Sequence, residues 1–225
     1  VRNRGFEDYR PAEGTTVQPD GRAVSTGSRF EMWPDTSNNG LPGWSLVNYT
    51  GSKASVNLDT KVGLASATSS SLRLEILEAK GVGAGIANEG YWGMSVKRGE
   101  GYNLSFYARC ADGFKDSLSA FLVGQQGKVV SDVARVSGLS ENWRQFKCKL
   151  KAKETEPKAK LVILASSKGT IWFDMISLFP EKTFRSRPNG LRLDLAQMLA
   201  DIKPGFVRWP GGCVVEGCTA QNIFR

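Results

Sequence analysis

The sequence predicts a mainly β chain: a jelly-roll β-sandwich over residues 1–180, then a helix–strand fragment of a (β/α)8 barrel over residues 181–225. Three observations carry this. Apolar residues alternate with polar ones at period two in run after run up to about residue 178, and turn-forming residues separate the runs at sandwich-like spacing. No helical periodicity interrupts them. After Pro188 the period changes to that of a helix, and a breaker pair, a short apolar run and a glycine turn follow it.

The strands are read in order from the alternation. Leu72, Leu74 and Ile76 alternate with Ser71, Arg73 and Glu75; Tyr102, Leu104, Phe106, Ala108 and Cys110 alternate with Gly101, Asn103, Ser105, Tyr107 and Arg109. Each pattern is that of a half-buried strand. Further runs lie at residues 117–123, 129–136, 144–152, 161–165 and 170–178, and a reading of about ten short strands with no helix between them suits a jelly roll better than a closed barrel. Residues 10–42 are rich in Gly, Pro, Ser, Thr, Asp and Asn and read as a long loop. Residues 179–188 read as a linker, with the domain boundary near Pro180.

From Gly190 to Lys203 the residues Leu191, Leu195, Met198, Leu199 and Ile202 fall on one helical stripe, with Asn189 as the cap and Pro204 as the stop. Phe206-Val207-Arg208-Trp209 then reads as a short buried strand, ended by Pro210-Gly211-Gly212. Arg208 is the anomaly, because a guanidinium among apolar strand residues is costly unless it is paired or faces a polar cavity. A charged side chain at the carboxyl end of a strand, followed by a glycine turn, is where α/β barrels place their sites.

Composition excludes several function classes. The formal charge is +8, from 30 Lys and Arg against 22 Asp and Glu. The densest basic cluster, Lys147, Lys149, Lys151, Lys153, Lys158 and Lys160, begins at period two, which is the pattern of one solvated strand face. No nucleic-acid motif accompanies it, and no apolar run approaches the roughly 18 residues that a membrane span needs. There is no histidine, and Cys110, Cys148, Cys213 and Cys218 show no CxxC spacing. This argues against a Cys/His metal site, a His-dependent triad or a histidine general base; no cofactor is expected. Cys110 and Cys148 are left as either a disulfide or two buried thiols. The chain begins with Val1 rather than Met, so its natural start is expected to have been removed.

The phrases Asn3-Arg4-Gly5-Phe6-Glu7, Asn189-Gly190-Leu191-Arg192, Leu195 to Pro204, Val207-Arg208-Trp209-Pro210-Gly211-Gly212-Cys213-Val214-Val215-Glu216-Gly217 and Gln221-Asn222-Ile223-Phe224-Arg225 resemble the glycoside hydrolase family 51 α-L-arabinofuranosidases. Asn3 to Glu7, Gly43-Trp44-Ser45, Ser71 to Leu74, Val96 to Ala108 and Thr170 to Leu178 are similar to carbohydrate-binding modules of the 4/9/16/22 type, in their usual order. The resemblance covers almost the whole chain, but the chain covers only part of the family.

The resemblance implies the N-terminal region of a retaining exo-glycosidase that trims arabinan or arabinoxylan in the plant cell wall, in an extracellular or periplasmic setting. Retention needs two carboxyl groups about 5 Å apart. The family places both on later barrel strands, so no catalytic residue is expected in this chain and the remainder of the barrel is its implied partner. Arg208 matches the family's strand-end arginine, which holds the nucleophile carboxylate ionised. Cys213 matches a substrate-contacting position after Pro-Gly-Gly, and Glu216 tethers that loop or lines the outer pocket. Sugar rings stack their C–H faces on aromatics, so Trp33, Trp44, Tyr49, Tyr91, Trp92 and Trp143 form the pool of glycan contacts, with Tyr91, Trp92 and Trp44 as its leading members. Two other classes stay open: a stand-alone carbohydrate-binding module, and a basic nucleic-acid-binding β-protein. The helix and the Arg208 motif weigh against the first, and the lack of a basic, aromatic stacking motif weighs against the second.

Overall fold

Strand alternation decides which side of each sheet is core. The computed structural model describes residues 1, 4–6, 15–17, 23–25, 41–66 and 68–208. Its strands are β1 (Thr15–Val17), β2 (Ala23–Ser25), β3 (Trp44–Asn48), β4 (Lys53–Asp59), β5 (Ser71–Glu78), β6 (Ala84–Asn88), β7 (Met94–Val96), β8 (Gly101–Cys110), β9 (Leu118–Val123), β10 (Ala134–Val136), β11 (Arg144–Lys151), β12 (Glu156–Ala165) and β13 (Gly169–Pro180). The chain divides into two units, Val1–Glu181 and Lys182–Arg225.

The first unit is a sandwich of two antiparallel sheets. One has the order β11-β8-β13-β5-β4; the other runs β10-β9-β12-β6-β3, with β7 also paired to β12. Along β8 the buried residues are Tyr102, Leu104, Phe106, Ala108 and Cys110, and every residue between them is partly exposed. Phe106 lies at the centre of the core, its ring centroid 5.6 Å from that of Phe146 and 6.1 Å from that of Phe173. The facing sheet contributes Leu118, Ala120, Leu122, Leu161, Ile163, Ala84 and Ile86 to the same cluster. Burying one such side chain contributes about 2–3 kcal/mol.

Several details depart from expectation. β1 and β2 pair inside the stretch read as a loop, with Thr16 opposite Val24. β-Branched residues on both sides of Pro19-Asp20-Gly21 are the sequence reason. The run at 129–136 becomes a strand only at β10, because Val129 and Ser131 make isolated bridges to Val123 and Ala152. β12 begins at Glu156 rather than 161: β7 pairs with it at Glu156 and Ala159 across a register shift. Pro157 is tolerated at that irregularity, where one ladder donor is not needed. Cys110 and Cys148 are free thiols. Cys148 lies opposite Leu104, six residues along β8 from Cys110, which is about 20 Å of strand and far beyond disulfide reach. Lys147, Lys149 and Lys151 do line one exposed strand face.

The second unit holds a 3-10 turn at Phe184–Ser186 and the helix α1 (Leu193–Ile202). The helix starts later than predicted. Asn189 has a φ of +52° and sits in a turn, while Arg192 is the residue at the cap and Asp194 occupies the first turn. Arg192 donates to both Asp194 oxygens, at 2.7 and 2.8 Å. Only Ala196 of α1 is buried. The predicted stripe is therefore presented outward: Leu195, Met198, Leu199 and Ile202 are 51–70% exposed. Over its described residues the predicted buried strand at 206–209 is not formed; Phe206, Val207 and Arg208 are exposed and outside any strand. A strand needs a neighbour to take its backbone hydrogen bonds, and residues 206–208 have no paired strand.

Candidate functional site

Two surfaces of the sandwich gather side chains suited to ligand contact. The first is the turn between β6 and β7. Asn88, fully buried at the end of β6, accepts a hydrogen bond on its Oδ1 from the Gly90 N–H at 3.0 Å. The Gly93 N–H donates to the Glu89 carbonyl at 2.9 Å. Gly90 and Gly93 have φ of +68° and +96°. A Cβ on Gly93 would lie 2.4 Å from the Lys158 Cα, so the turn is pressed against β12 and only glycine fits. Between these glycines Tyr91 and Trp92 are 54% and 72% exposed. Two adjacent aromatics on a tightly tied turn form a surface on which the C–H faces of a sugar can pack.

The second surface is the outer face of the five-stranded sheet. Trp172 on β13 lies opposite Arg109 of β8 and Arg73 of β5, and Arg73 lies opposite Asn57 of β4. The Arg109 guanidinium stands 5.3 Å from the centroid of the Trp172 ring. The indole N–H of Trp172 donates to Asp59 Oδ2 at 2.9 Å. Burial alone would raise the Asp59 pKa. The hydrogen bonds from Trp172, Lys61 and Val62, with the charge of Arg73, outweigh it and hold the carboxyl below its usual range.

The predicted residues fall into three groups. Tyr91 and Trp92 come together on the exposed turn, and Tyr49 is 40% exposed. Trp44 is a correction: it is 1% exposed and packs on Phe6 with ring centroids 5.4 Å apart, so its faces belong to the core and not to a sugar. Trp143 donates its indole N–H to the Gly63 carbonyl at 3.1 Å. Trp33, Trp209, Cys213 and Glu216 lie outside the described residues; Arg208 is exposed. The Arg109–Trp172–Arg73 row is not among the residues singled out from the sequence, where Trp172 stands outside the pool of glycan contacts. The signal was present in β8, whose alternation puts Arg109 and Tyr107 on the face opposite Phe106. Among the described residues no cluster of His, Cys, Asp and Glu is arranged to hold a metal ion, and no helix is long and apolar enough to cross a membrane.

No protein-family model matches the chain. Against curated proteins it is 34% identical over 232 residues to α-L-arabinofuranosidase 1 of Arabidopsis thaliana, an alignment covering 100% of this chain and 30% of that protein. It is 36% identical over 137 residues to an extracellular exo-α-L-arabinofuranosidase of Streptomyces chartreusis, covering 60% of this chain and 16% of that one. Among solved structures, the arabinose-bound MgGH51 α-L-arabinofuranosidase matches with a TM-score of 0.69 at 31% identity, over 81% of this chain and 30% of that chain. This chain is a homologue of the family 51 α-L-arabinofuranosidases. It spans less than a third of the length of the arabinofuranosidases it matches. The alignment with the Arabidopsis arabinofuranosidase runs through the sandwich and α1 alike, so the homology is not confined to one motif.

Proposed function

We propose that the chain is the N-terminal region of a retaining α-L-arabinofuranosidase that removes terminal arabinofuranosyl residues from arabinan or arabinoxylan, outside the cell or in the periplasm. The observation that carries the reading is the 34% identity to an arabinofuranosidase over the whole of this chain. Residues 1–180 act as a carbohydrate-binding-module-like sandwich and residues 181–225 begin the (β/α)8 barrel. The outward apolar stripe of α1 supports the second assignment, since such a stripe requires a covering layer. The rest of the barrel is that layer.

In this reading the two catalytic carboxyl groups belong to parts of the enzyme outside this chain. Arg208 steadies the nucleophile carboxylate by a charge-assisted hydrogen bond, while Cys213 and Glu216 line the substrate pocket. Tyr91 and Trp92 offer the sandwich's aromatic contact to polysaccharide. The test is to express the whole coding sequence and incubate it with arabinan and arabinoxylan, following the anomeric proton of the released sugar by NMR. Arabinose released first with its original anomeric configuration is the expected result. No arabinose, or inverted product, overturns the proposal.

A further inference from the structure

We propose that the outer face of β8 and β11, with Arg109 and Lys147 as its cations, binds an acidic glycan whose sugar units carry carboxylates. The proposal rests on the reading of the first unit as a glycan-binding sandwich and adds the class of glycan.

Six ion pairs form on the described surface. Lys53 pairs with Glu78, Lys128 with Glu154, Lys149 with Glu181, Lys160 with Glu89, Arg73 with Glu75 and Arg192 with Asp194. Arg109 and Lys147 appear in none of these pairs, nor does Lys151 on the same face, nor do Arg135, Arg144 and Lys153 elsewhere, so it is position on the sheet and not lack of an ion pair that sets the two apart. The guanidinium carbon of Arg109 stands over the Trp172 ring, 5.3 Å from its centroid. A cation–π contact leaves guanidinium N–H groups to donate, and two of them can grip a carboxylate in parallel. The Nε of Arg109 is buried and has no hydrogen-bond partner, as is true of the Nε of Arg73 on the other side of Trp172. A donor so buried is out of a ligand's reach, so contact with a carboxylate falls to the terminal N–H groups of Arg109.

The register sets the spacing. Lys147 lies opposite Ser105 and Gln145 lies opposite Tyr107, two and one alternations along the same face from Arg109. Arg109 and Lys147 are thus separated by four residues of strand, about 13 Å, with Tyr107 and Gln145 between them. A single small anion cannot span that distance. A chain of uronic acid units can, placing successive carboxylates on the two cations while a ring between them packs on Tyr107. Ser105, Asn103 and Gln145 supply hydroxyl and amide groups for the sugar hydroxyls. A neutral arabinan would leave both cations without partners.

The experiment titrates the whole chain, by calorimetry, with a short de-esterified galacturonate oligomer, with its methyl ester and with a neutral arabino-oligosaccharide. The expected result is binding of the acid form that weakens with added salt, and at least about tenfold weaker binding of the methyl ester. Arg109→Gln is expected to weaken acid binding about tenfold or more and Lys147→Gln severalfold, with both leaving the neutral sugar unaffected. Arg109→Lys keeps charge and bulk, and serves if the Gln variant unfolds; it should lose most of the acid binding because the planar fork is gone. The proposal is overturned if wild type does not bind the acid oligomer, if the ester binds as well, if the folded Arg109 variants bind normally, or if polyglutamate of equal charge binds as tightly. Binding of the neutral sugar and arabinose release by the whole enzyme are read separately, so the failure of one reading does not imply the failure of the other.

Discussion

Replacing Gly93 by Ala tests whether the aromatic turn is built as described. Two effects add at this position. The φ of +96° is strained for any residue with a Cβ, at about 1–2 kcal/mol. The new Cβ would also lie 2.4 Å from the Lys158 Cα and 2.7 Å from its Cβ, an overlap with backbone that forces β12 or the turn to shift, at about 1–3 kcal/mol. Together they come to about 2–5 kcal/mol, or a drop in Tm of about 5–15 °C for a unit of this size. Gly113 supplies the control, since its φ is +82° and a Cβ there meets nothing within 4 Å. Gly113→Ala should therefore show the conformational part alone, about 1–2 kcal/mol. Thermal unfolding of both variants on one instrument separates the steric part from the conformational part. Drops in Tm that agree within about 2 °C would refute the close packing of the turn on β12.

Three further predictions address other parts of the account. In the complete enzyme, Arg208→Ala should lower kcat/KM by about 10²-fold or more, about 3 kcal/mol, with little change in Tm; a marked loss of Tm with normal turnover would make Arg208 a structural ion-pair partner instead. Burial, helped by Asp132, pushes the Cys148 thiol up to about 11 from 9.0, so at pH 8 its alkylation, followed by peptide mass, should be about 100-fold slower in the folded chain than in denaturant; equal rates would contradict its environment. For Asp116, burial would raise the pKa, but hydrogen bonds from Ser166, Ser117 and Ser167 hold it below 3.8, as the bonds to Trp172, Lys61 and Val62 do for Asp59. A carboxyl lowered on folding contributes stability that is complete above about pH 5 and is lost as pH falls below about 4, so Tm should fall through that window, and fall less steeply in Asp116→Asn.

Legibility in the sequence followed the clarity of the period. β8 was readable end to end because every second residue, from Tyr102 to Cys110, is apolar or aromatic and most of those between are polar. β6, Ala84-Gly85-Ile86-Ala87-Asn88, was not, because all five residues are buried and a strand covered on both faces has no alternation to show. β13 carried the opposite difficulty. A register shift between Asp174 and Ser177, with Met175 at a φ of +50°, changes the parity of the strand part-way, so alternation along 170–178 does not assign one face to the whole run. Trp44 shows the same limit from the other side: an aromatic at a strand start reads alike whether it stacks a sugar or, as here, Phe6. The α1 stripe was legible from its spacing, but what it packs on was not, because periodicity reports an apolar face and says nothing of the partner. The Arg109–Trp172 pair needed strand order as well as alternation, and strand order is set by which edges meet.

The central claim is that this chain is part of an arabinofuranosidase whose catalytic carboxyl groups lie elsewhere in the enzyme. It is tested most directly by measuring hydrolysis of a chromogenic α-L-arabinofuranoside by residues 1–225 alone and by the complete coding product, purified in parallel. The account predicts turnover by the complete product and none above the buffer blank for residues 1–225. Turnover by residues 1–225 that survives repurification, or none by a folded complete product, would contradict it.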